Sequence, residues 1–158
     1  MIHTDLFHEL SGLSPNFYES NYKEIMEPFS DKQSKNTDYG GKAFTMRWQP
    51  FMYACILGLI NKRRIPFQNR PNDKNKSGDV FTYQTIFNQS HGHDILVSVI
   101  LSVISLNKDG YKILSDKNKL NEEISNFANG GFEIIREMKD DGISFGFSDF
   151  MTEISDRK

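Results

Sequence analysis

The chain has one cysteine, Cys55, and that single thiol excludes an internal disulfide. Its place inside an apolar run marks it as a buried, inert group in a reducing compartment. Long hydrophobic stretches are missing too. The longest, residues 51–60, is ten residues long, too short to span a bilayer and long enough for a buried helix. The first residues, Met-Ile-His-Thr-Asp-Leu-Phe-His, lack a basic region followed by an apolar one, so no secretory signal is expected. Together these absences point to a soluble cytoplasmic protein without a membrane partner.

Catalytic patterns are equally scarce. Tyr39-Gly40-Gly41-Lys42 does not have the spacing of a phosphate-binding loop, and no nucleophile-elbow pattern occurs. The paired carboxylates Glu122-Glu123 and Asp140-Asp141 lie in polar surroundings, where a solvated face is the ordinary explanation. His91-Gly92-His93-Asp94 is the one cluster of metal-ligand types, but its imidazoles stand two residues apart with no further His or Cys nearby. A helix-entry loop with Asp94 at the helix start explains it without a metal. The residues therefore imply neither a catalytic group nor a cofactor.

What is present is core material and a localised charge. At 158 residues with thirteen phenylalanines, the chain can build one domain around a substantial core. Net charge is −2, which argues against a general nucleic-acid binder. The distribution is uneven: residues 62–78 carry six cations and one anion, a balance of +5, against −7 over the other 141 residues. Lys62, Arg63 and Arg64 follow directly on the apolar run, and Arg70, Lys74 and Lys76 continue the series.

Periodicity predicts an all-α fold of about six or seven helices around two apolar core helices. A short helix covers 5–12, ended by Gly12. Ser14-Pro15 reads as N-cap and first residue of a helix over 15–26, with Pro28 marking its end. Residues 30–42 read as a polar loop. The central helix spans about 47–61, apolar on nearly all sides. Residues 69–79 read as a flexible polar loop, and 81–87 as a short helix. The second core helix, 95–106, places Ser98, Ser102 and Ser105 on one stripe suited to close helix approach. Ser115 is expected to cap the next helix, whose apolar set from Leu120 to Met138 keeps helical phase across Gly130-Gly131. A last helix begins near Ser148 and uses Phe150, Met151 and Ile154.

The cations of 62–76 have two explanations. Basic residues just past a helix C-terminus satisfy its last carbonyls and dipole, which accounts for Lys62 to Arg64. It does not account for Arg70, Lys74 and Lys76, which together with the first three could contact phosphates or an acidic protein surface.

Three fragments resemble a known family: Phe51-Met-Tyr-Ala-Cys-Ile-Leu-Gly-Leu followed by Lys62-Arg63-Arg64-Ile65-Pro66-Phe67; the apolar helix 95–106; and Ala128-Asn129-Gly130-Gly131-Phe132-Glu133-Ile134-Ile135. They are similar to the small Dnd-system-associated proteins found beside bacterial DNA-phosphorothioation and restriction genes. The resemblance covers roughly residues 44–155 and leaves out the first forty residues, His91 and His93. It implies an accessory role in a DNA-modification or phage-defence locus, with DNA or a protein of the defence complex as partner. Two other classes stay open: a metal-dependent enzyme using His91, His93 and Asp94, and a structural adaptor or homodimer meeting through Phe145 and Phe147.

Overall fold

A computed structural model describes residues 2–30, 44–76 and 80–141. The expectations placed on 31–42, on Phe145 and Phe147, and on a helix from Ser148 lie outside the described residues.

The fold is all-α. Helix α1 (Ile2–Ser11) is followed by an extended stretch rather than a helix opening at Pro15. There, Asn16 N–H donates to Ser125 Oγ at 2.9 Å, and the Phe17 carbonyl accepts from Lys76 N–H at 2.8 Å. These long-range partners outweigh the local helix-start signal of Ser14-Pro15. Helix α2 (Glu19–Asn21) then runs through a π-helical turn (Tyr22–Met26) into α3 (Glu27–Phe29). Glu27 N–H reaches back five residues to the Tyr22 carbonyl. That wider turn lets Pro28 sit inside the helix without its ring meeting the preceding carbonyl, and the chain becomes extended only at Ser30.

Helix α4 (Trp48–Ile60) carries Pro50 in its first turn, and Gln49 Oε1 accepts from the Thr45 and Met46 N–H groups at its start. Helix α5 (Tyr83–Phe87) begins with a capping box between Thr82 and Thr85, which supports the short helix expected here. Helix α6 (Gly92–Leu106) has Asp94 in its first turn. A 3-10 turn (Gly110–Ser115) leads to α7 (Lys117–Asp140), whose N-cap is Asp116, not Ser115. The Asp116 carboxylate accepts from Asn118 and Lys119 N–H at 3.0 and 3.2 Å, while the Ser115 hydroxyl turns back to the Lys112 carbonyl.

The closest helix contact is between α4 and α7, and glycine makes it. A Cβ added at Gly131 would stand 1.6 Å from the Ala54 carbonyl oxygen, and one at Gly58 would stand 2.0 Å from that of Phe127. Phe51, Cys55 and Phe132 are fully buried around this crossing. The serine stripe of α6 plays no such part. Ser98, Ser102 and Ser105 donate to carbonyls of their own helix (Asp94, Ser98 and Ser102). Ser98 and Ser102 line an open apolar groove of about 340 Å³ with Ile56, Leu59 and Val99. No described helix is long and apolar enough to cross a membrane.

Candidate nucleic-acid or partner interface

The basic segment begins where α4 ends, and the ending is made by backbone. Lys62 N–H bonds to the Leu59 carbonyl at 3.2 Å and Arg63 N–H to the Gly58 carbonyl at 2.8 Å. With Lys62 at φ 52, this is a Schellman motif that carries lysine in the left-handed position usually held by glycine. The Asn61 side chain takes the Leu57 carbonyl. The cationic side chains therefore do not cap this helix.

Residues 63–67 then run extended along α7. Ile65 N–H donates to the Asn126 carbonyl at 3.1 Å, the Ile65 carbonyl accepts from Asn129 Nδ2 at 3.1 Å, and Phe67 N–H donates to Asn126 Oδ1 at 2.9 Å. Pro66, which has no N–H, stands between the two residues whose N–H groups are used. Gly130 makes the approach possible, since a Cβ there would lie 1.9 Å from the Arg63 carbonyl oxygen. The Lys-Arg-Arg-Ile-Pro-Phe and Ala-Asn-Gly-Gly elements are thus two sides of one contact.

Sequence reasoning missed the polar face of α7 that receives these segments. Asn121, Ser125, Asn126 and Asn129 are all buried. Asn121 Oδ1 accepts from the buried Tyr83 hydroxyl at 2.6 Å, and its amide donates to the Ser14 carbonyl at 3.1 Å. Spacings of four from Asn121 through Ser125 to Asn129, alongside an apolar helix face, were the available signal.

The six cations take different roles. Arg63 pairs with Glu137 at 2.7 Å, and Arg64 makes a bidentate pair with Glu123. Lys62 and Lys74 are exposed and make no side-chain hydrogen bond or ion pair among the described residues. The Arg70 guanidinium lies 4.1 Å from the centre of the Tyr18 ring, whose other neighbour is Phe67, stacked at 4.5 Å. Lys76 stands 5.7 Å from the Tyr22 ring, as does Arg47.

Residues 69–76 are ordered by contacts with residues 16–20. Asp73 accepts from Ser20 N–H at 3.0 Å and from its hydroxyl at 2.5 Å. Gln68 and the Tyr18 hydroxyl exchange hydrogen bonds at 2.8 and 3.0 Å, and Asn75 bonds to Asn16 at 3.0 Å. The flexible loop expected at 69–79 is therefore a docked strap over its described part.

His91 is exposed at φ 65 ahead of α6, and His93 Nδ1 lies 3.8 Å from an Asp94 oxygen with both side chains more than half exposed. His93 also lies against Phe7 and Phe87. Among the described residues no three His, Cys, Asp or Glu side chains gather as a metal site.

Among known proteins, the family model described as DNA sulphur modification system-associated protein 4 matches residues 22–145. The match starts earlier and stops sooner than the span of roughly 44–155 covered by the resemblance, and it includes His91 and His93. No curated protein and no solved structure matches.

Proposed function

The chain belongs to the family of DNA sulphur modification system-associated protein 4, and from that premise we propose that it is a non-catalytic accessory protein which holds DNA by its phosphates through residues 62–76. One observation carries this reading. Of the five arginines among the described residues, Arg47, Arg63, Arg64 and Arg136 each have hydrogen-bond or ion-pair partners. The Arg70 side chain has none among the described residues, and its guanidinium is held over the Tyr18 ring, 4.1 Å from the centre.

A stacked guanidinium with its N–H fork unengaged is pre-organised for a phosphate, since little side-chain entropy remains to be lost on binding. Lys62 and Lys74 add exposed charge, and Lys76 adds charge beside Tyr22. Arg63 and Arg64 keep the segment seated on α7 through their glutamate partners. Action in the cytoplasm, within a bacterial DNA-modification and phage-defence system, follows from this reading.

Binding to a labelled duplex, plain and phosphorothioated, tests it. Affinity should fall steeply as salt rises, and Arg70→Glu with Lys74→Glu should abolish it while the helical circular dichroism stays intact. Absence of duplex binding at low salt would reject the DNA reading and favour an acidic protein surface as the partner.

A further inference from the structure

We infer, resting on the DNA reading above, that Tyr18 and Tyr22 are two rungs of a cation platform that engages successive phosphates on one strand of duplex DNA and leaves the bases unread. The rungs are one turn apart, tied by a bond from Tyr22 N–H to the Tyr18 carbonyl at 3.1 Å. Four residues rise about 6 Å along a helix axis, comparable to the separation of neighbouring phosphates along a strand. Arg70 covers the first ring, and Arg47 and Lys76 flank the second. Arg47 comes from the start of α4, outside the basic segment. Its NH1 group donates to the Glu27 carbonyl at 2.9 Å, which holds the charge in place before any ligand arrives.

Of the carboxylates around the platform, three are engaged, while the exposed Glu27 side chain makes no hydrogen bond or ion pair among the described residues. Asp73 is bonded to Ser20, Glu19 pairs with Lys23 at 3.1 Å, and Glu24 pairs with Arg136. The cation partners of Glu19 and Glu24 offset their opposition to a phosphate.

The same geometry excludes base stacking at Tyr18. Its ring is 2 % exposed, lies between Phe67 and Arg70, and has its hydroxyl committed to Gln68. Proteins that prefer single strands offer aromatic faces to unpaired bases. Here the face is spent on holding a cation, so the duplex backbone is the ligand and base sequence is immaterial.

Fluorescence anisotropy with a short duplex of mixed sequence, a duplex of scrambled sequence and the single strand decides the matter. The two duplexes should bind equally, and the single strand more weakly at equal phosphate concentration. Arg70→Gln should weaken duplex binding roughly tenfold or more and lower the slope of log K against log salt by about 1. Lys76→Gln should lower the slope similarly. It is the second variant because Arg47→Gln also removes a helix-end contact. A single strand binding as tightly as the duplex would overturn the platform and leave DNA binding by residues 62–76 standing, whereas unchanged slopes in both variants would overturn the platform and the role given to Arg70 together. No duplex binding by the unaltered protein at low salt would remove the DNA reading itself.

Discussion

Arg64 and Glu123 meet at two points: Nε and NH2 donate to separate carboxylate oxygens at 2.7 and 2.5 Å. The Glu123 side chain is 9 % exposed and that of Arg64 39 %. The hydrogen bond it donates to Glu123 holds the Arg64 guanidinium above its ordinary range. The pair joins the basic segment to α7 instead of offering Arg64 to a ligand.

Removing one partner from a buried pair costs about 3–5 kcal/mol, and from an exposed pair far less. Glu123→Ala should therefore lower stability by about 1–3 kcal/mol in urea unfolding. Arg64→Ala should do the same, and the double variant should lose less than the sum of the two. Neither effect should be matched by a change in the salt slope of DNA binding.

Gly131→Ala tests the α4–α7 crossing. Alanine favours the helix by about 1 kcal/mol, but the added methyl meets the Ala54 backbone, which has no rotamer with which to yield. Overpacking of about 1–3 kcal/mol or more should prevail. Thermal unfolding should show a lower Tm, with the helical spectrum of the folded state retained.

Lys62 separates charge from backbone. A side chain at φ 52 is disfavoured by about 1–2 kcal/mol, part of which glycine relieves at the expense of its own entropy. Lys62→Gly should leave stability unchanged or raise it by up to about 1 kcal/mol, whereas Lys62→Val should lower it. If Lys62 touches a phosphate, the glycine variant should also lower the salt slope by about 1.

Cys55 should be silent in the folded protein. It is fully buried, its thiol lies 3.5 Å from the Ile124 carbonyl, and burial pushes its pKa well up. A thiol reagent should label it only as fast as the core opens, and denaturant should accelerate the labelling. Rapid labelling in native buffer would contradict the packing described for α4.

The features readable from sequence were those with local causes. The apolar run 51–60 with Pro50 at its head gives α4, and unbroken phase from Leu120 to Met138 gives α7. The segments that misled are governed from a distance. Ser14-Pro15 has the chemistry of a helix start, yet the backbone beyond it is claimed by Ser125 and Lys76. Residues 69–76 contain no large apolar group, so their order rests on Ser20, Tyr18 and Asn16. Ser98, Ser102 and Ser105 suit a helix contact or an open groove equally well, and spacing cannot distinguish them.

The candidate site divides in the same way. Clustering of cations is visible in composition, but which of them is already paired depends on Glu123 and Glu137, some sixty to seventy residues further on. Tyr18 and Tyr22 fall within the helix expected over 15–26, and nothing local announces the guanidinium above one of them.

The seating of residues 63–67 on α7 rests on peptide groups as well as on the glutamate partners of Arg63 and Arg64. Position 65 gives an N–H and a carbonyl, position 67 gives an N–H, and position 63 gives the oxygen for which Gly130 leaves room. Mutational tolerance should accordingly be lopsided. Changes of side chain at positions 63 and 67 remove the Glu137 pair or the stack on Tyr18 but spare the backbone contacts, and position 65 is the freest to vary, whereas position 130 accepts glycine alone. A saturation library read out by folding would show a permissive strand lying across an intolerant helix. The surface charge of the basic segment could then be retuned for a different ligand without refolding the scaffold beneath it.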